Sequence, residues 1–125
     1  MKIKHKFCDI PKTFHIPKST RFVHRGLGVI IAKGTKIGEN VTIYQFVTIG
    51  GRAGDSNGYL VKKRGAPVIG NGVTIYAYAA VLGGISIGDN CVVGAYSLVL
   101  DDVPAGCVVY GIPAKVVKKV KGESL

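Results

Sequence analysis

Aliphatic side chains recur at every sixth position through most of this chain. One series runs without a miss from Ile69 to Val99, and an earlier series runs from Ile31 to Ile49. Small or aliphatic residues form a second series, four places after the first: Val73, Ala79, Ile85, Cys91 and Ser97. A period of six fits neither a helix nor the alternation of a flat strand. Hexapeptide repeats are typical of a parallel β-helix, so we predict an all-β fold coiled around one aliphatic core.

The repeat begins early in the chain but is not continuous. Ile10, Ile16 and Phe22 are also spaced by six residues, which places the start of the coil near Ile10. Nine residues then separate Phe22 from Ile31, so the register must shift between them. Residues 24–28 contain two glycines, whose backbone can adopt tight geometry, and we expect this stretch to absorb the mismatch.

Residues 51–66 break the pattern completely, with the sequence GRAGDSNGYLVKKRGA. Sixteen polar, glycine-rich residues inside a compact coil indicate either a functional loop or a tolerated surface excursion. Lys62, Lys63 and Arg64 collect where this loop re-enters the coil. That cluster favours the first interpretation, in which the loop is an arm that closes over a phosphorylated ligand.

The end of the chain is predicted to cover the open end of the coil. Val108 and Val109 supply a last strand, and the valines and lysines that follow suggest a short amphipathic strand or helix. An open coil end exposes core and strand edges, so a cap is needed there. We therefore predict one domain over residues 1–125, with a loop at 51–66 and a C-terminal cap at 107–125.

The composition of the chain indicates where in the cell the protein is expected. The chain has 125 residues, 47% of them hydrophobic, and a mean hydropathy of +0.30. No uninterrupted apolar run approaches the roughly 18 residues of a membrane-spanning helix, and the basic N-terminus lacks the apolar region of a secretory signal. We expect a cytosolic protein without a membrane span. Three cysteines, an odd number with no CxxC pair, are expected to be reduced structural thiols.

The charge of the chain limits its partners. A formal net charge of +10 favours a polyanionic partner. No recognition helix and no interleaving of aromatic and basic residues indicates nucleic acid, so a phosphorylated cofactor accounts for the charge more simply. All three histidines precede the main repeat, and we expect no metal site.

Three stretches resemble the left-handed β-helix acyltransferases, and within them the serine acetyltransferase-like branch. They are IYQFVTIGG at 43–51, the repeat at 68–106, and GIPAKVV at 111–117. The resemblance implies a left-handed coil, a homotrimer, and acetyl-CoA as the cosubstrate, bound in a groove between neighbouring subunits.

The same resemblance implies a catalytic pair. Members of the family use a histidine as general base, helped by an aspartate fifteen residues earlier, and Asp9 stands fifteen residues before His24. A histidine with a pKa near 6.5 can take the proton of a hydroxyl as it attacks a thioester carbonyl, and a carboxylate can orient the imidazole. The alternatives are a surface histidine and an ordinary turn aspartate.

Contacts to the cofactor and acceptor are implied in the same way. Small residues on successive coils match the positions whose backbone groups bind the pantetheine arm: Ala77, Gly83, Gly84 and Ala95. Lys115 and Lys118 match the basic residues that meet the CoA phosphates, and Gln45 and Arg64 are assigned to the acceptor. A plain packing requirement and a solvated tail are the alternatives.

Departures from the branch concern the acceptor. Serine acetyltransferases place charged residues at three positions that hold the amino acid, and this chain has Val23, Gly65 and Ala66 there. Losing several charge-assisted bonds, each about 1.5–3 kcal/mol, weakens recognition of a zwitterion. We therefore expect a sugar or polysaccharide precursor as the acceptor of an O-acetyltransferase. Serine acetylation and a non-catalytic repeat scaffold are the alternatives.

Overall fold

The computed structural model describes residues 8–11, 15–51 and 63–120, and these form a parallel β-helix. Except for the last two, each strand has only two or three residues before the chain changes direction. The strands are β1 Arg21–Phe22, β2 Ile30–Ile31, β3 Lys36–Ile37, β4 Thr42–Ile43, β5 Thr48–Gly50, β6 Val68–Ile69, β7 Thr74–Ile75, β8 Ala80–Leu82, β9 Ser86–Ile87, β10 Val92–Val93, β11 Leu98–Val99, β12 Cys107–Gly111 and β13 Ala114–Lys119.

These strands form three sheets, one on each side of a triangular column. Sheet A has the order β11-β8-β5-β2, sheet B the order β1-β4-β7-β10-β12-β13, and sheet C the order β3-β6-β9. Successive strands of the chain pass from sheet B to sheet A to sheet C. Three corners therefore run along the column, and we call them the B–A, A–C and C–B corners.

The register confirms that three hexapeptides make one turn. Ile31 pairs with Ile49 in sheet A, and Ile75 pairs with Val93 in sheet B, in each case eighteen residues on. The coil is left-handed, as the family resemblance implies. The predicted fold class is thus confirmed.

The aliphatic positions of the repeat fill the column. Nine of the ten six-spaced residues are buried: Ile31, Ile43, Ile49, Ile69, Ile75, Val81, Ile87, Val93 and Val99. The tenth, Ile37, is half-buried and packs against them. The second series, from Val73 to Ser97, is buried as well. Burying each large aliphatic side chain contributes about 1.5–3 kcal/mol, so this stack is the main source of stability.

Close packing of neighbouring coils explains glycines at the C–B corner. A Cβ at Gly38 would lie 2.9 Å from the backbone nitrogen of Asn71, and one at Gly70 would lie 2.8 Å from that of Asp89. The side chains there bond to the preceding coil, because Asn71 Oδ1 accepts the Glu39 N–H at 2.9 Å and Asp89 Oδ1 accepts the Asn71 N–H at 2.8 Å. Only glycine leaves room for this polar ladder.

Two insertions interrupt the eighteen-residue turn. Phe22 pairs with Ile43, twenty-one residues on, and the extra residues form a 3-10 turn at Val23–Gly26. This confirms the predicted irregular stretch at 24–28. Ile37 pairs with Ile69, thirty-two residues on, so the predicted loop leaves the coil at the A–C corner. Residues 52–62 of that loop, including Lys62, lie outside the described residues.

The chain ends in a hairpin rather than a helix. Strand β12 continues sheet B beside β10, and β13 pairs with β12 in antiparallel orientation. The alternation of half-buried and exposed positions in β13 puts Val116 toward the core. Of the two alternatives for the tail, the structure has the strand. Residues 121–125 of the predicted cap lie outside the described residues.

Cys91 and Cys107 are buried free thiols, which agrees with the prediction of reduced structural cysteines. Cys91 Sγ donates to the carbonyl of Pro104 at 3.0 Å, and burial raises the pKa of the Cys91 thiol. A raised pKa keeps the thiol protonated and unreactive. In the described part of the chain, no helix has the length and apolar character needed to cross a bilayer.

Candidate active site

His24 lies at the B–A corner, in a turn with unusual backbone geometry. His24 and Arg25 both have positive φ values, of 56° and 59°, and Gly26 and Gly28 follow with 74° and 69°. Later coils turn the same corner with one left-handed residue each: Phe46, Tyr78 and Tyr96. The left-handed region costs a non-glycine residue about 1–2 kcal/mol. Two adjacent strained residues with exposed side chains mark this turn as a candidate site.

Three further site residues line up with His24 along the B–A corner. Because β1 pairs with β4, Gln45 lies at this corner on the next coil. Because β4 pairs with β7 and β7 with β10, Ala77 and Ala95 occupy the matching positions on the two coils after that. We call these four residues the corner column. Coils are spaced by about 4.8 Å, so the column extends about 14 Å along the axis.

In the corner column, two carbonyls have hydrogen-bond partners within the coil, whereas several other polar groups have none among the described residues. The carbonyls of Gln45 and Ala77 accept N–H bonds from the next coil, from Tyr78 at 3.2 Å and Tyr96 at 3.0 Å. Within the described ranges, no backbone carbonyl accepts the N–H of Ala77 or Ala95. The Oε1 atom of Gln45 is buried and has no hydrogen-bond partner there. A buried acceptor without a donor is costly, so a ligand that supplies one would be favoured at this point.

The structure places Asp9 on the coil before His24, but beside Ile30. The Asp9 N–H donates to the carbonyl of Val29 at 2.9 Å, and the Asp9 carbonyl accepts the N–H of Ile31 at 2.9 Å. Asp9 and Ile30 form an isolated parallel bridge at the start of sheet A. The residue beside Asp9 on the next coil is therefore twenty-one positions later, whereas His24 is fifteen positions later. This coil is longer than the regular eighteen residues because it contains the strained turn. The pairing of Asp9 with His24 stays a prediction.

Gly83 and Gly84 lie at the A–C corner, where Gly83 has a positive φ of 96° and Gly84 is closely packed. The Gly83 N–H donates to the carbonyl of Gly50 at 2.8 Å, and the Gly84 N–H donates to that of Lys63 at 3.0 Å. The Arg64 carbonyl lies against the Cα of Gly84, where a Cβ would clash with it. Both N–H groups are thus used within the coil, and neither is available to a pantetheine arm. The returning loop requires glycine at position 84, whereas the positive φ favours glycine at position 83.

The returning end of the loop is held by an ion pair. Lys63 Nζ lies 2.9 Å from Asp102 Oδ2, and Asp102 Oδ1 accepts the Ser86 N–H at 2.9 Å. The hydrogen bond from Lys63, and then that from Ser86, lower the pKa of the Asp102 carboxyl. Both side chains are about half exposed, so the pair orients the loop end more than it stabilises the fold. The next residue, Arg64, is exposed at the A–C corner.

Lys115 and Lys118 lie on β13, at the end of sheet B. Lys115 pairs with Tyr110 and Lys118 with Val108 in the hairpin, and both lysines are exposed. Strands β12 and β13 contain three lysines and no acidic residue. This hairpin gives the C-terminal end of the column a positive charge. Among the described residues, no group of three or more His, Cys, Asp or Glu side chains could hold a metal ion.

Sequence reasoning missed a stack of aromatic rings beside the corner column. The rings of Phe46 and Tyr78 have centroids 5.0 Å apart with planes 7° apart, and those of Tyr78 and Tyr96 are 4.9 Å and 2° apart. We call these three residues the aromatic ladder. The spacing of eighteen residues between Tyr78 and Tyr96, one full turn, was the signal that could have revealed it.

Comparison with known proteins gives one consistent result. The bacterial transferase hexapeptide family, with six repeats, matches residues 66–101. The serine acetyltransferase of Staphylococcus xylosus is 46% identical over 100 residues, which cover 78% of this chain and 43% of that protein.

Solved structures agree with this relationship. The soybean serine acetyltransferase complexed with serine has a TM-score of 0.68 and 42% identity, covering 78% of this chain and 37% of that chain. The serine acetyltransferase from Brucella abortus strain S19 in complex with coenzyme A has a TM-score of 0.68 and 30% identity, covering 81% and 40%. This chain spans less than half the length of each of these proteins.

Proposed function

We propose that this chain, a hexapeptide-repeat protein of the serine acetyltransferase-like branch, transfers an acetyl group from acetyl-CoA to a hydroxyl acceptor. The relatives that it resembles are serine acetyltransferases, and one of the solved structures contains coenzyme A. The observation that carries the proposal is the corner column. It puts an exposed imidazole in line with two alanines, Ala77 and Ala95, whose N–H groups have no backbone acceptor in the described ranges.

In the proposed reaction, His24 acts as the general base. The acceptor oxygen attacks the thioester carbonyl while its proton passes to the imidazole. The tetrahedral intermediate then collapses, the C–S bond breaks, and the sulfur leaves with the proton that His24 carried. Asp9, one coil away, is proposed to orient the imidazole and to favour its protonated form. The products are the acetyl ester and CoA.

The pantetheine arm is proposed to lie along the corner column. Ala77 and Ala95 have small side chains, and their N–H groups can donate to the carbonyls of the arm. Gln45 lies between them and His24, and its buried Oε1 can accept a bond from the acceptor hydroxyl or from an amide of the donor. Lys115 and Lys118 are proposed to meet the phosphates at the C-terminal end, where binding should weaken as salt increases.

The distribution of site residues supports a homotrimer. His24 lies at the B–A corner and Arg64 at the A–C corner, so the width of sheet A separates them within one chain. A site that uses both side chains therefore requires two copies of the chain, with the groove between them. We propose that three copies assemble around such grooves, in the cytosol, where buried free thiols such as Cys91 and Cys107 stay reduced.

We propose a sugar or polysaccharide precursor as the acceptor. The positions that would hold the charges of serine contain Val23, Gly65 and Ala66, and Arg64, next to Gly65, can replace only part of the missing charge. Serine is the second candidate, since the soybean relative was solved with serine bound. Serine carries an ammonium and a carboxylate, and a neutral sugar carries neither. The two candidates therefore predict different relative rates with charged and neutral acceptors.

Release of CoA thiol from acetyl-CoA in the presence of different acceptors tests the proposal. We expect turnover with hydroxylated saccharides and much slower turnover with L-serine. Faster turnover with L-serine would reverse this order of acceptors. A non-catalytic scaffold is distinguished by thermal shift, because a ligand at one hundred times its Kd stabilises a protein by about 2.7 kcal/mol. The absence of both turnover and a shift with acetyl-CoA would overturn the enzyme proposal.

A further inference from the structure

The aromatic ladder has one open end. Its rings are nearly parallel and stack along the column axis, so Phe46 and Tyr96 cover the two faces of the Tyr78 ring. At the N-terminal end, Phe46 packs on Gly28, where a Cβ would clash with the ring. Tyr96 is at the other end, and its exposure of 64% exceeds the 46% of Tyr78 and the 42% of Phe46. One face of the Tyr96 ring is therefore unstacked.

The fold explains why nothing continues the stack. Sheet A ends at β11, the strand that follows Tyr96, so no further coil of the described residues passes over this corner. The pairing of β10 with β12 ends at Val93 and Val109, and the N–H of Gly111 then donates to Ser97 Oγ at 3.2 Å as the chain enters the final hairpin. Ile112 is highly exposed, and Tyr110 packs on Gly94 with much of its ring open to solvent. Tyr96 and Tyr110 are thus two exposed aromatic side chains at this end of the B–A corner, and we call them the platform.

Positive charge borders this platform. Lys115 pairs with Tyr110 across the hairpin, and Lys118 and Lys119 follow on the same strand. A flat aromatic surface with lysines beside it is suited to a nucleotide, because the planar base can stack on the rings and the phosphates can meet the positive charges. Base stacking on an aromatic side chain is tolerant of sequence and is typically worth about 1–3 kcal/mol.

The position of the platform relates it to the donor. It lies at the opposite end of the corner column from His24, about 14 Å along the axis and beside Ala95. A donor with its thioester at His24 and its arm along the column would bring its nucleotide to this end. We infer that Tyr96 is a donor-binding residue whose free ring face stacks on the adenine of acetyl-CoA. This inference rests on the proposed function.

Binding of CoA and of 4′-phosphopantetheine, which lacks the adenosine, tests the inference by calorimetry. We expect the wild-type protein to bind CoA more tightly. Tyr96→Ala should weaken CoA binding about tenfold or more while leaving phosphopantetheine binding unchanged, and Tyr96→Phe should retain the wild-type preference. Tyr44→Ala is the matched control, because Tyr44 stacks on Tyr76 outside the ladder.

A spectroscopic measurement separates stacking from a structural role. The chain contains no tryptophan, so Tyr96→Trp introduces a single indole at the platform. We expect CoA to quench its emission and phosphopantetheine to leave it unchanged. Equal loss of both ligands in Tyr96→Ala would mean a structural role, and unchanged CoA binding would mean no role; either overturns the inference. Failure of the wild-type protein to bind either ligand would instead overturn the proposed function.

Discussion

At the scale of single residues, the strained turn at His24 and Arg25 distinguishes the B–A corner from the rest of the column. Every later coil passes this corner with one left-handed residue, whereas this coil uses four, and two of them carry side chains. Glycine at both positions would remove the strain. Side chains held in such a turn have fixed directions, which suits a base that must meet a hydroxyl and a thioester.

Replacing His24 by alanine should abolish acetyl transfer. Loss of a general base typically lowers the rate by a factor of about 10²–10⁴, and the core does not depend on this exposed side chain. The measurement is kcat by thiol release, with circular dichroism to verify the fold. His15→Ala, another exposed histidine, is the control and should keep full activity. Normal turnover in His24→Ala would remove His24 from the mechanism.

Replacing Arg25 by glycine should stabilise the protein. Its φ of 59° is unfavourable for arginine and acceptable for glycine, so we expect the free energy of unfolding to rise by about 1 kcal/mol. Arg21→Gly, in strand β1, is the control and should lower it. Urea denaturation measures both variants. A lower stability in Arg25→Gly would show that the side chain makes stabilising contacts that outweigh the strain.

At the scale of elements, the ion pair of Lys63 and Asp102 joins the loop to the last coils. Asp102 also accepts the N–H of Ser86, the first residue of strand β9, so one carboxylate contacts both the loop end and a strand. Arg64 follows directly. The ion pair therefore anchors the backbone that leads into Arg64, a residue of the proposed site.

Removing the cation should raise the pKa of Asp102. The lowered pKa means that the carboxylate stabilises the folded state above its usual value near pH 4, and that this contribution is lost as the pH falls through the lowered value. In Lys63→Met, we expect the pKa to move up toward its usual value, so that this carboxylate stabilises the folded state less at neutral pH and less stability is lost on acidification. An NMR titration of the carboxyl carbon measures the pKa. Lys36→Met, on strand β3, should leave it unchanged.

At the scale of the whole molecule, stability comes from a column of aliphatic side chains, and the residues of the proposed site lie at its outer corners. The column is uniform along its length, so a core substitution should have an effect set by burial alone. The residues of the proposed site instead differ from coil to coil. This separation lets the corners vary without disturbing the core.

Truncating a fully buried residue should cost much more than truncating a half-buried one. Ile75→Ala is expected to lower the free energy of unfolding by about 2–5 kcal/mol, since it leaves a cavity in the packed column. Ile37→Ala should cost clearly less, because Ile37 is partly open to solvent. Thermal and urea denaturation provide the comparison. Equal losses would mean that the column is not packed uniformly.

Mixing two inactive variants tests whether sites form between subunits. If His24 and Arg64 of one site come from different chains, trimers assembled from His24→Ala and Arg64→Ala chains contain some sites with both residues intact. Random mixing in equal amounts should restore up to about a quarter of wild-type activity. Each variant assembled alone should stay inactive. No recovery in verified mixed trimers would place both residues in one chain's site.

The predicted single domain over 1–125 and the roles of individual site residues remain predictions, but much of the fold could be derived from the sequence alone. The six-residue series established the coil, its core and its irregular corner, because a buried position must be apolar wherever the chain turns inward. The loop at 51–66 and the last strand were also visible, since polar residues interrupt the period there.

Only the tertiary structure decided which residues share a corner. Stacking of coils brings Gln45, Ala77 and Ala95 into one line with His24, and it brings Phe46, Tyr78 and Tyr96 into one stack. It also packs Gly84 against the returning end of the loop and puts Asp9 beside Ile30. A periodic sequence tells which side chains point inward, but insertions of three and fourteen residues change the register between coils. The neighbours across coils therefore depend on hydrogen-bond pairing, which spacing along the chain does not determine.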